Sequence, residues 1–353
     1  MKRDFYLNLA QSGLRMPIAA DLVLHEEPAA ERILNDGRAL GQVVEKTARR
    51  YRTPLAFCHM NLTLEKAVLL ETLDVPAADI PLYHFAERPA ADALDRLKTG
   101  LGRLRHAELQ AHVDSVRYIA TETNLVPVGM TIGPFSLMTK LLADPITALY
   151  LAGTGMTVVE EPEVARLEGA LALATTMVLH SVSLQIAAGA KAVFVAEPAA
   201  NVVYVSPKQI EAGSDVYERY VMTPARQVKD LLERSGVDLV FHCCGELNPY
   251  MVRQFTTLEP VILSLGSSRV LWEDAAIVPK HIVLYGNLPS KHFYSDDVIS
   301  VEQVETLACE LLRKMRQAGH PFILGSECDV LHVPGAIATI AKKVDAFVGC
   351  RCE

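Results

Sequence analysis

Short apolar runs alternate with longer segments of helical periodicity along most of this chain. Runs of four to eight apolar or β-branched residues stand at 17–24, 54–59, 126–131, 192–196, 237–241, 260–264, 281–285 and 321–324, each bounded by residues that favour turns. Between them the spacing predicts helices over 29–51, 90–124, 162–188, 207–235 and 301–318. Pro162 just inside one helix start and Gly319 just past another's end are the expected punctuation. Eight strands alternating with helices make a parallel sheet closed on itself, so the expected fold is α/β, a (β/α)8 TIM barrel. The chain exceeds the usual barrel length, and the excess falls between the second and fourth strands. No linker, repeat or low-complexity stretch divides it, so residues 1–353 are expected to form one domain.

The segment 169–190 carries no charge and is long enough to span a bilayer. It also holds Thr175, Thr176, His180, Ser181, Ser183 and Gln185 and runs straight into the strand at 192–196. A helix buried against the sheet accounts for both features, and no membrane is expected. Half the residues are hydrophobic and aromatics are few, as aliphatic barrel packing requires. The net charge of −8, with no block of Lys and Arg, argues against nucleic acid as a partner. Seven cysteines in no dense framework, after an N-terminus without a signal-peptide core, point to reduced thiols in a cytoplasmic protein. Cys58 and Cys309 are expected to pack as small hydrophobes, and Cys350 and Cys352 to lie in a tail.

Candidate chemistry collects where strands end. After the run 237–241 come His242, Cys243 and Cys244. Alternation along a strand sends His242 and Cys244 to one face and Cys243 to the other. A third soft donor, Cys328, follows the run 321–324. One imidazole and two thiols with a fourth position open is a known catalytic zinc arrangement, since structural sites are usually closed by four protein ligands. The same spacing also fits a buried histidine and two inert core thiols. His25, His59, Glu197 and Asn287 end other strands, but their donors suit binding or support more than zinc.

Four further stretches carry a family resemblance. Thr131-Ile-Gly-Pro-Phe-Ser-Leu137, Ala196-Glu-Pro198 with Val205-Ser-Pro207, His242-Cys-Cys-Gly245, and Gly325-Ser-Glu-Cys-Asp329 with Pro334 resemble, in order and spacing, motifs of the uroporphyrinogen decarboxylase superfamily. Gly286-Asn-Leu288 resembles that family's Gly-Asn-Leu-Asp, although Pro289 replaces the Asp. Within the superfamily the chain is most similar to the zinc methyltransferases that act with corrinoid proteins. True decarboxylases carry an Arg-Gln-Ala-Gly-Arg stretch for the substrate's carboxylates. Here the region reads Leu14-Arg-Met-Pro-Ile-Ala-Ala-Asp-Leu22, with a single Arg, which makes porphyrinogen decarboxylation the less expected activity.

The resemblance implies Zn2+ held by His242, Cys244 and Cys328, with Glu197 filling the fourth position until substrate displaces it. The competing reading of Glu197 is a carboxylate bound to a loop backbone. It further implies methyl transfer between a corrinoid such as methylcobalamin and a small molecule, a thiol acceptor such as coenzyme M. The alternative is demethylation of a methoxy or methylamine substrate onto Co(I), and a non-catalytic zinc- and tetrapyrrole-binding barrel is a further one. The chain has no Asp-x-His-x-x-Gly cobalamin motif, so a separate corrinoid protein is the expected partner. Oligomeric state is not legible.

Overall fold

The computed structural model describes residues 3–103 and 105–352. Seven strands, β1 (Leu55–Phe57), β2 (Val126–Ile132), β3 (Ala192–Ala196), β4 (Asp238–Cys243), β5 (Ile262–Leu265), β6 (Val283–Leu288) and β7 (Phe322–Ser326), form one sheet in sequence order. Every neighbouring pair is parallel, and the registers align the strand ends, Ala196 with His242 and His242 with Ser264. Nearly every strand residue is buried. A strand enclosed on both faces needs apolar residues in succession, which is why these runs show little alternation. Helices return the chain between strands, and the whole is a curled barrel of the TIM type.

One strand expectation fails. The run 17–24 is extended only at its start, where Arg15 bridges Leu324 and Ile18 bridges Asp329 in parallel. Ala20–Leu24 is a short helix, all five residues buried. A short, wholly buried apolar run has no periodicity to separate strand from helix. The eighth stave is thus a brief crossing of residues 15–18 against β7. Side chains secure it: Tyr285 Oη donates to Met16 O at 3.0 Å, and Ile18 N donates to Ser326 Oγ at 3.2 Å.

The excess length lies in helices after β1 and β2, among them Leu64–Thr72, Ala93–Leu101, Ala107–Glu122, Pro134–Thr139 and Pro145–Gly153. The helix Pro162–Ala187 is long and apolar enough to cross a membrane by length and composition. It packs instead on the helices Leu64–Thr72, Pro134–Thr139, Pro145–Gly153 and Thr223–Arg234. Its buried Gln185 accepts from Met130 N at 2.8 Å and donates to Met130 O at 2.9 Å, spanning the backbone of β2. The helix Val301–Ala318 opens on a Ser300–Gln303 capping box and ends at Gly319, whose φ of 62° is left-handed.

The expectation of reduced thiols throughout is also corrected. Cys309 and Cys352 form a disulfide, their Cα atoms 5.2 Å apart. Cys309 lies on the helix Val301–Ala318, which packs against Ile337–Gly349, so the chain leaving the second helix passes beside the first. This is a tertiary juxtaposition that spacing does not reveal. Cys350 is no loose tail either: it is buried, and Arg15 donates to its carbonyl oxygen and to its Sγ. Cys58 is fully buried, as expected of a small hydrophobe.

Candidate metal centre

β4 places the first two donors. His242, one residue before the strand's end, turns inward and is 1% exposed. Cys243 turns away into the packing around Ala200, and burial pushes its thiol pKa far up. Cys244 returns to the His242 side just beyond the strand. Its position depends on Gly266 at the end of β5, where an added Cβ would meet Cys244 Cα and O at 2.7 Å. Cys328 arrives from the other side, two residues past β7.

The His242 nitrogen and the two sulfurs lie within 4.8 Å of one another. Donors bound to one tetrahedral zinc at about 2.0–2.3 Å stand about 3.5–3.8 Å apart, so small side-chain adjustments suffice. His242 Nδ1 meets Ser264 Oγ at 2.8 Å, whereas its buried Nε2 has no hydrogen-bond partner. Cys328, with His242 and the Lys291 ammonium, outweighs burial and holds the Cys244 thiol well below the ordinary range. Cys244 and burial together push Cys328 up. Lys291 is itself pushed down by burial, but the charges of Cys244, Glu327 and Cys328 more than reverse this. A buried nitrogen without a hydrogen-bond partner beside two soft sulfurs is a donor set suited to zinc.

Glu197 lies elsewhere in the mouth. It follows β3, fully buried, and its carboxylate accepts from Phe135 N at 3.1 Å and Ser136 N at 2.7 Å. Gly133 makes room for it, since a Cβ there would meet the carboxyl carbon at 2.1 Å. Burial raises its pKa to about 7 against the hydrogen bonds from Ser136 and Phe135. Asn287 is also committed to backbone, donating to Gly266 O and Arg269 O at 2.8 Å each. His25 and His59 stand apart from the three donors, gathered on Asp21.

Ser264 and Lys291 escaped sequence reasoning. A serine in an apolar strand has no signature, and its pairing with His242 follows only from the β4–β5 register. Lys291 follows the Gly286-Asn-Leu288 motif closely, but nothing in that spacing marks its direction.

The Uroporphyrinogen decarboxylase (URO-D) family profile matches residues 33–349. The chain belongs to the uroporphyrinogen decarboxylase family. Among solved structures it is similar to a methyltransferase from Methanosarcina mazei, with 16% sequence identity, 98% of each chain covered and a TM-score of 0.65. That likeness shows a shared fold. No curated protein sequence matches the chain. The family match spans all seven strands, and with them His242, Cys244 and Cys328.

Proposed function

We propose that this member of the uroporphyrinogen decarboxylase family is a zinc-dependent methyltransferase. It would move a methyl group between the cobalt of a corrinoid carried by a partner protein and a small molecule, a thiol acceptor. The observation that carries this reading is the convergence of His242 Nε2, Cys244 Sγ and Cys328 Sγ at the C-terminal ends of the strands, where barrels of this type place their chemistry. Among the described residues no fourth His, Cys, Asp or Glu joins the group, which supports an open, catalytic position over a closed structural one. The likeness in fold to a methyltransferase from Methanosarcina mazei agrees with it.

In this reading, Ser264 fixes the His242 ring so that Nε2 faces the sulfurs. Cys244 and Cys328 supply two negative charges, and the Lys291 ammonium lies where it balances them. Zinc, when bound there, lowers the pKa of a coordinated thiol from about 8.5 and keeps it nucleophilic at neutral pH. The barrel wall excludes water and orients the reacting group. Glu197 would reach the metal only by surrendering two charge-assisted hydrogen bonds, each worth about 1.5–3 kcal/mol. We assign it to anchoring the Gly-Pro-Phe loop. Decarboxylation of a porphyrinogen finds little support: Arg15, the only cation in 14–22, directs its guanidinium to Cys350.

Metal analysis joined to cobalamin spectroscopy tests the proposal. Wild-type protein should bind about one zinc ion at this group and convert methylcob(III)alamin to the Co(I) form with a suitable thiol. Cys244→Ala and Cys328→Ala should lose both properties while staying folded. Transfer that persists in both variants after the zinc is gone, or turnover of uroporphyrinogen by the wild type, refutes it.

A further inference from the structure

A second cluster of donors stands at the seam where residues 15–18 close the barrel against β7. Asp21 lies in the short helix just past that crossing, and its carboxylate is 6% exposed as a residue. Three imidazoles converge on it. His332 Nδ1 lies 2.9 Å from Oδ2, His59 Nε2 3.3 Å from Oδ1, and His25 Nδ1 3.4 Å from Oδ1 and 2.9 Å from the Asp21 carbonyl oxygen. The ligand atoms of Asp21, His25 and His332 all fall within 4.8 Å of one another. The His25 and His332 rings are face to face, centroids 3.3 Å apart and planes within 16°.

One carboxylate can be satisfied with fewer partners than this, and His332 N already donates to Asp21 Oδ2 at 2.7 Å. Behind the cluster lies Asp329, 3% exposed, with neither carboxylate oxygen in any hydrogen bond. Val330 N donates to Ile18 O at 2.7 Å, which holds that stretch against the stave. Burying a carboxyl group without a hydrogen-bond partner is unfavourable. A cation between these residues would offset that cost. Two N or O donors bound at about 2.1 Å to one ion stand about 3.0–3.4 Å apart, close to the Asp21–imidazole spacings of 2.9, 3.3 and 3.4 Å. The His25 and His332 side chains keep 25% and 32% of their surface, so an ion can reach the cluster from solvent.

We infer that Asp21, His25 and His332, backed by His59 and Asp329, form a second divalent-cation site at the barrel seam. Its donors are nitrogen and oxygen, so it selects a borderline transition-metal ion and differs in kind from the sulfur-rich group of His242, Cys244 and Cys328. β7 feeds both, Cys328 to one and His332 to the other. The site does not depend on the methyltransferase reading.

Cobalt(II) is the probe, because thiolate ligands give intense charge-transfer absorption and N/O ligands only weak d–d bands. Metal-stripped wild-type protein dialysed against Co2+ should take up two ions per chain. Cys244→Ala/Cys328→Ala should lose the charge-transfer band and keep one ion, and His25→Ala/His332→Ala should do the reverse. Equal uptake by wild type and His25→Ala/His332→Ala overturns the inference and leaves Asp21 as a hydrogen-bonded clamp. Should the histidine variant fail to fold, Co2+ should still raise the Tm of Cys244→Ala/Cys328→Ala by about 4 °C. An unchanged Tm there overturns it as well. Absence of the charge-transfer band in wild type would instead count against the His–Cys–Cys centre alone.

Discussion

Ser264 Oγ lies 2.8 Å from His242 Nδ1, across the β4–β5 register, and both residues are buried. The contact leaves Nε2 as the ring nitrogen without a hydrogen-bond partner, on an imidazole that stands beside the two thiols. Ser264→Ala should therefore weaken zinc binding by about 10–100-fold while changing fold stability by about 1 kcal/mol. Competition with a chromophoric chelator reads the first effect and denaturant unfolding the second. Unchanged zinc affinity would show that the hydroxyl only fills space.

Gly266 sets the position of Cys244 by having no side chain. Its replacement by Ala brings a Cβ to 2.7 Å from the Cys244 backbone, so one of the two strand ends must move. Gly266→Ala should lower stability by about 1–3 kcal/mol and cut metal occupancy more than Ser264→Ala does. Metal analysis at equal protein concentration compares the two.

Glu65 gives stability a pH dependence. It is fully buried between β2 and the helix Pro162–Ala187, accepting from Thr131 Oγ1 at 2.8 Å and Ser181 Oγ at 3.0 Å, and its Oε2 has no partner. Burial raises its pKa from 4.5 to about 7 despite those hydrogen bonds. The folded state then binds the proton more tightly than the unfolded state. Its contribution is full below about pH 4.5 and is lost as pH rises through 7. Glu65→Gln should flatten that decline in Tm or midpoint between pH 4.5 and 7. A slope equal to wild type's would remove Glu65 from the account.

The Cys309–Cys352 disulfide closes a loop with a sequence separation of 43. Restriction of the unfolded chain by such a loop is worth about 4 kcal/mol in the entropic description. Cys309→Ala, or reduction of the wild type, should lower the denaturant midpoint accordingly without altering zinc content. Loss of zinc on reduction would tie the disulfide to the His–Cys–Cys group.

What could be read from residues alone followed the strength of local patterning. β1 to β7 were legible because each enclosed strand is a dense apolar run between turn residues. His242 and Cys244 could be paired because strand alternation is a geometric rule, and Cys328 joined them as a soft donor at another strand end. The first stave was misread at Ala20–Leu24, where burial on all sides erases periodicity. The disulfide, Ser264, Lys291 and the gathering on Asp21 were out of reach. Each arises from elements distant in sequence meeting in space, and none leaves a mark on its own neighbourhood.

The joint between β7 and residues 15–18 has a dynamic consequence. From β1 to β7 each strand shares a ladder with the next, but at this joint two isolated bridges and a few side-chain contacts carry the closure. Cooperative opening requires the least work where the fewest backbone bonds must break together. The amide protons of Met16 and Ile18 should consequently exchange with deuterium well before those of β3 and β4. The perimeter gives way first on the side that carries Asp21.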